Sequence, residues 1–193
     1  MHSKIPYLLL LFGLLGLNFA VFLTAFLASQ NNPVAKDMYF IFSPTCHQLT
    51  SRSLCLFKHD IDGSLSIGEC LPVSTFSPSK AEVVFYPDKT AFKFPVCSRD
   101  MAIYFSMLLA TLLLPLFQKI ESRRIPPPVI LFLAAIPIGI DGLGQLFALW
   151  ESTNLVRIAT GALIGFVMPF YILPIANALF ESFAHSVFKN KRL

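Results

Sequence analysis

Long uninterrupted apolar runs, separated by short charged segments, set the pattern of this chain. After Lys4 the next charged residue is Lys36, and no charge falls in Met101 to Gln118, Ile125 to Ile140 or Ile158 to Phe180. A helix crossing a hydrocarbon core of about 30 Å needs roughly 20 mostly apolar residues. Lipid cannot satisfy an open backbone, so a spanning segment is a helix or part of a closed barrel. The runs are continuous, not alternating, which excludes the barrel. The pattern therefore predicts an all-α membrane protein with about four transmembrane helices, near residues 5–28, 99–118, 127–150 and 155–181. The first apolar stretch, Ile5 to Ala28, exceeds the roughly 7–15 residues of a signal-peptide core. Phe26 also stands where cleavage after Ala28 would need a small residue. It is expected to remain as an anchor, so residues 1–28 form the first span, 29–98 a loop and 99–193 a three-helix part.

The loop has structure signals of its own. Val34, Met38, Ile41 and Phe42 recur at helical spacing with Lys36 and Asp37 opposite, and Pro44 closes the run. This suits a short helix in the membrane interface or in the loop's own core. Farther on, Asp62-Gly63 reads as a two-residue hairpin turn. That places Ile61 opposite Ser64 and, counted outward, Cys55 opposite Cys70, within reach of a disulfide. A second hairpin is expected from Glu82 to Phe94, turning at Pro87-Asp88. Cys46 and Cys97 remain, and four cysteines allow three pairings.

Composition agrees with the apolar pattern. Hydrophobic residues make up 55% of the 193, charged residues only 13%, and the mean hydropathy is +0.66. Soluble domains carry roughly 25% charged residues. Charge placement sets the expected orientation. Lys4, the group Lys119, Arg123 and Arg124, and the group Lys189, Lys191 and Arg192 fall on one side of a four-span chain. Basic flanks favour the cytoplasm, so both termini are expected there and residues 29–98 outside the cytoplasm. The net charge of +4 then follows from topology and calls for no nucleic-acid partner.

Polar residues stand out in so apolar a chain, because lipid penalises them. Asp141 lies nine residues before Trp150, about 13 Å below the surface at 1.5 Å per residue, and Gln145 shares its face. Ser98 reads as the N-cap of the second span, with Arg99 and Asp100 in its first turn and Tyr104 continuing inward. Arg157 opens the fourth span above Gly161 and Gly165, a spacing that admits a close helix neighbour or leaves room for a ligand. Cys46-His47-Gln48 precedes Arg52-Ser53. Thiolate and imidazole are good ligands for zinc or another transition metal. Cys46, His47 and Cys97, with Asp141 below, form a candidate metal set, though their spacing matches no established finger. Described sequence signatures for a Walker loop, a dinucleotide fingerprint or a nucleophile elbow are absent.

Four segments then carry a resemblance: Cys46-His47-Gln48 with Arg52-Ser53; Pro95-Val96-Cys97-Ser98-Arg99-Asp100 with Ala102-Ile103-Tyr104; Asp141-Gly142 with Gln145; and Glu151-Ser152-Thr153-Asn154 with Arg157 and Thr160-Gly161. Over roughly residues 35–165 the chain resembles the membrane-protein family called domain of unknown function 2085. Its members look like small prokaryotic, often archaeal, polytopic proteins. The resemblance implies topology and a grouping of polar residues, and it implies no reaction. The segment between Ser53 and Pro95 is longer than the family pattern suggests.

All four segments map to the same half of the four-span arrangement. The leading expectation is a polar pocket in the outer leaflet that binds or acts on a membrane-associated substrate. In an enzyme, Cys46 or a metal-bound water would be the nucleophile, His47 or Asp141 the base, and Arg99 and Arg157 the anion stabilisers. Gln48, Arg52, Asp100, Tyr104, Gln145, Glu151 and Asn154 would complete the site. The alternatives are an ion- or head-group-binding or transport protein, a homo-oligomer joined through Gly161 and Gly165 included, and a structural membrane scaffold.

Overall fold

A computed structural model describes residues 4–44, 49–70 and 82–190, with side chains described as far as Ser182. The chain is a multi-pass membrane protein with four apolar helices long enough to span. Helix α1 (Ile5–Ser29) is the first span, and α2 (Val34–Phe42) follows it. After a 3-10 turn at Thr50–Arg52 come strands β1 (Leu54–His59), β2 (Leu65–Glu69), β3 (Val83–Phe85) and β4 (Lys89–Lys93). The remaining spans are α3 (Ser98–Phe117), α4 (Pro128–Leu146) and the pair α5 (Asn154–Val167) and α6 (Pro169–Asn190). With four crossings, the end of α1, the start of α3, the end of α4 and the start of α5 gather at one end of the bundle, beside the sheet.

Each boundary has a local cause. Helix α1 stops where Asn31 takes the left-handed conformation (φ 54°) and Asn32 N–H donates to the Leu27 carbonyl at 3.0 Å. Asn is one of the few residues that tolerate that backbone. Helix α4 ends in the same way, with Ala148 at φ 54° and Leu149 N–H bonded to Gly144 O at 2.9 Å. It therefore stops at Leu146, short of the expected 150, because Trp150 folds back onto Gly144. A Cβ on Gly144 would lie 2.0 Å from the indole Cζ2, so only glycine fits. The fourth span breaks at Met168, where Pro169 supplies no N–H to continue the helix ladder.

Both hairpins form, and they merge into one antiparallel sheet of order β2-β1-β4-β3. The second turns at Pro87-Asp88, with Tyr86 N–H on Lys89 O at 2.9 Å. The first departs from the counted register: Cys55 faces Gly68, not Cys70. Its loop holds four residues, Asp60 to Gly63, because Gly63 takes positive φ (67°) while Asp62 does not. A two-residue turn of the expected type needs both. Asp62 instead accepts the Ser64 N–H at 3.0 Å, and that contact, with the Ser64 hydroxyl, holds its carboxyl below the ordinary value. A two-residue slip keeps each side chain on its face. Cys70 therefore lies diagonal to Cys55, with Cα atoms 4.9 Å apart, and the two are joined as a disulfide.

The sheet sits on the end of α1. Val21, Ala25, Phe42, Phe94 and Val96 form the joint core, with Leu54, Leu56, Met101 and Tyr104 packed around it. Helix α2 forms where the pattern placed it, and Phe42 of the expected stripe is buried, but the stripe is shifted. Ala35, Tyr39 and Phe42 face inward, while Val34 and Ile41 are exposed. The Tyr39 hydroxyl decides this, since it donates to the Lys93 carbonyl on β4 and so is satisfied inside. Burial, with Glu82 nearby, pushes the Tyr39 phenol above its usual range.

Within the bundle, α3 packs most extensively on α5. Gly161 and Gly165 make the approach possible. A Cβ at Gly161 would lie 2.5 Å from Arg99 O, and one at Gly165 2.2 Å from Ser106 Oγ and 2.5 Å from Ile103 O. The small-residue face is thus filled by α3 of the same chain. That corrects two expectations: it is neither open to a second copy nor a space for a ligand beneath Arg157.

Candidate functional site

The polar residues converge at the sheet end of the bundle because α3 and α5 begin there and α4 ends there. Arg99 lies in the first turn of α3, Asp141 in the last turns of α4, and Arg157 in the first turn of α5. Asp141, 5% exposed, pairs with Arg99 and accepts from Gln145 Nε2 at 3.0 Å. Gln145 is the bridge, since its Oε1 accepts from Arg157 Nη2 at 3.0 Å. Arg157, 2% exposed, also donates to Glu151 at 2.7 Å and to Asn154 Oδ1 at 3.4 Å. Glu151 in turn holds Arg52 in a two-pronged contact, Nε to Oε1 at 3.1 Å and Nη2 to Oε2 at 3.2 Å. A continuous chain results: Arg52, Glu151, Arg157, Gln145, Asp141, Arg99.

Trp150 turns back beside Gly144, so the bundle end is Leu146, five residues after Asp141. Asp141 then lies about 8 Å from the helix terminus.

Asn154 links α5 to α3. Its Oδ1 accepts from Ser98 Oγ at 2.8 Å as well as from Arg157. Ser98 is therefore not the N-cap. The cap is Cys97, whose carbonyl accepts from Met101 N–H at 3.0 Å, while its thiol donates to Asp100 at 3.1 Å. The Ser98 hydroxyl is spent between helices instead of on the helix backbone. Tyr104 contributes its carbonyl, which accepts from Asn18 Nδ2 at 3.0 Å.

Among the described residues, two donors within this cluster have no acceptor. Arg99 Nε and Asn154 Nδ2 are both buried and unpartnered, and Asn154 is 1% exposed. Buried polar groups in folded proteins are almost always paired, so each such group calls for an explanation. Three guanidiniums, Arg52, Arg99 and Arg157, meet two carboxylates in the network, Asp141 and Glu151. Asp100 is turned to Cys97.

Cys46, His47 and Gln48, expected as nucleophile, base, metal ligands or binding residues, lie outside the described residues. Among the described residues no group of three or more His, Cys, Asp or Glu side chains is placed to hold a metal. Cys97 and Asp141, the other members of the expected metal set, are engaged with Asp100 and with Arg99 and Gln145.

Sequence reasoning missed two buried asparagines. Asn18 ties α1 to α3. Asn177 donates to the Ile120 and Ser122 carbonyls at 2.9 Å each, closing the loop at the opposite end of the bundle. Each is an amide inside an apolar run, and that is the signal that could have found them.

A helical membrane protein with four spans, a small sheet seated on one end and an ion-paired polar cluster beneath it is the class that this architecture defines. Residues 89–171 match the family described as predicted membrane protein, domain of unknown function 2085. An uncharacterized protein of Methanocaldococcus jannaschii is 30% identical over 175 residues, which cover 88% of this chain and 91% of that protein. The chain belongs to this family. The family match begins at residue 89, later than the resemblance suggested, so Arg52 and Ser53 fall outside it while Arg99, Asp141 and Arg157 fall within. No solved structure matches the chain.

Proposed function

We propose that the Arg99–Asp141–Arg157 cluster binds the anionic group, phosphate or carboxylate, of a membrane-associated molecule. The observation that carries this reading is the pair of buried donors without acceptors, Arg99 Nε and Asn154 Nδ2, in a network with more guanidiniums than carboxylates. An anion accepting from both would satisfy them and balance the charge, and charge-assisted hydrogen bonds are about twice as strong as neutral ones. Asp141, Gln145 and Glu151 position the guanidiniums and would not touch the anion themselves.

The test is binding by purified protein in phosphatidylcholine nanodiscs, read by thermal stability and by native mass spectrometry. One arm adds phosphatidic acid or phosphatidylglycerol, and the other adds inorganic phosphate. Saturable stabilisation in the lipid arm alone identifies a head group; saturation in the phosphate arm identifies a free anion. Asn154→Asp keeps Oδ1 for Ser98 and Arg157 but turns the open donor into a negatively charged acceptor. It is expected to weaken binding at least about tenfold, the factor for about 1.4 kcal/mol. Equal binding in wild type and variant, or none in either arm, would leave the cluster as a structural clamp.

The cluster's proposed position is in the outer leaflet, with both termini cytoplasmic and the sheet outside. Support comes from the basic residues Lys119, Arg123, Arg124 and Lys189, all at the end of the bundle opposite the sheet. A membrane-impermeant maleimide should fail to label a cysteine added at the C-terminus of the protein in intact cells. Labelling there would reverse the orientation.

A further inference from the structure

One face of the sheet is mostly apolar, with Thr90, Lys58 and Glu69 as its polar members, where a face turned to water would be polar throughout. Row by row across the strands, Phe85, Thr90, Lys58 and Leu65 share a face with Val83, Phe92, Leu56 and Ile67. Leu54 and Leu56 on this face pack against α1. Beyond α1 the same face leaves Leu65 46%, Ile67 54% and Phe85 80% exposed. The other face closes on itself through Cys55, Phe57, Cys70 and Ala91. An antiparallel sheet with one face on its core normally presents polar residues on the other solvated positions. Apolar residues that extend outward from a membrane span meet lipid.

Between α1 and this face runs a groove of about 460 Å³, lined by Phe19, Phe22 and Phe26 of the helix, by Leu56 and Leu65 of the sheet and by Phe94 just after β4. Its size falls within the roughly 300–1,000 Å³ of small-ligand sites. No ionisable side chain lines it. Phe26 and Phe19 are three and ten residues from the helix end at Ser29, about 5 to 15 Å along the axis. The groove thus opens at the depth of lipid chains. Lys58, in the row of Leu65 and Phe85, has its amine 3.5 Å from the Ser29 carbonyl. A lysine at a span's end, with its stem along apolar surface and its charge at head-group level, marks the lipid–water boundary.

We infer that an acyl chain of a bilayer phospholipid fills this groove and that the sheet is seated on the leaflet through Leu65, Ile67 and Phe85. The occupant is the lipid that already surrounds α1, because the groove is continuous with the span's lipid-facing side. This site is separate from the anionic cluster and shares no residue with it.

The experiment reconstitutes the full chain in phosphatidylcholine vesicles containing a small fraction of phosphatidylcholine with a diazirine on one acyl chain. Irradiation and peptide mass spectrometry then locate the adducts. Adducts are expected on the β1–β2 hairpin at Leu65 and Ile67 as well as on α1. Leu65→Lys should reduce hairpin labelling at least about tenfold, since it sets a second cation directly opposite Lys58 at the mouth of an apolar groove. Leu65 is half exposed, and non-reducing peptide mapping of Cys55–Cys70 reports whether the variant's sheet is intact. Asn154→Asp should label as wild type does, which separates this outcome from that of the anion-binding reading. Labelling confined to the spanning helices, or hairpin labelling unchanged by Leu65→Lys, overturns the inference.

Discussion

Replacing Glu151 with alanine should lower the unfolding free energy by about 4 kcal/mol, within the 3–5 kcal/mol typical of a broken buried ion pair. Glu151 is the only carboxylate that Arg157 touches among the described contacts, and Arg157 is 2% exposed. Without it the guanidinium keeps only the neutral oxygens of Gln145 and Asn154. A guanidinium cannot readily shed its charge, so the cost is paid in desolvation. Arg52 would also lose both prongs of its contact. Arg52→Ala is the control. Its side chain is 33% exposed, so its loss should cost only about 1 kcal/mol. Denaturant titration of both variants in one detergent measures the difference, and equal losses would show that Arg157 finds solvent.

Asp141→Asn is the second large effect, expected at about 3 kcal/mol. The side chain keeps its volume and can still meet Gln145, but Arg99 faces a neutral amide. Arg99 is 20% exposed at its side chain, against 6% for Asp141, so solvent relieves part of the penalty and the loss is smaller than at Glu151. Adding Arg99→Met to Asp141→Asn removes the stranded cation and should recover much of the loss. The coupling from that double-mutant cycle should exceed about 1.5 kcal/mol. A coupling near zero would mean that the pair behaves as a surface contact.

The helices were legible because lipid makes the requirement local. A spanning segment must satisfy its own backbone and present carbon to lipid, so composition in a window of about 20 residues suffices. The ends were less so. That α4 stops at Leu146 depends on Trp150 finding Gly144, and that the fourth span breaks at Met168 depends on how Pro169 is accommodated. The hairpins were legible from their turns, but the four-residue loop at Asp60 to Gly63 moved the register by two.

The residues of the polar cluster could be picked out one by one, because each is costly in an apolar chain. Their partners could not. Arg99 and Asp141 are 42 positions apart, and Arg52 and Glu151 are 99 apart. Nothing in the sequence singles out Arg99, rather than Arg157 or His47, as the companion of Asp141. The close contact of α3 with α5, set by Gly161 and Gly165, together with the packing of α4 on α5, puts Arg99 against Asp141 and leaves Gln145 to reach Arg157. The amino-acid sequence by itself determined the four spans, the polar residue types and the end of the bundle where they gather, since those follow from transfer free energy along a single segment. Which charge meets which, and which two donors of the cluster remain without an acceptor among the described residues, was decided only by the tertiary structure, because pairing depends on the approach of distant helices to within hydrogen-bond length.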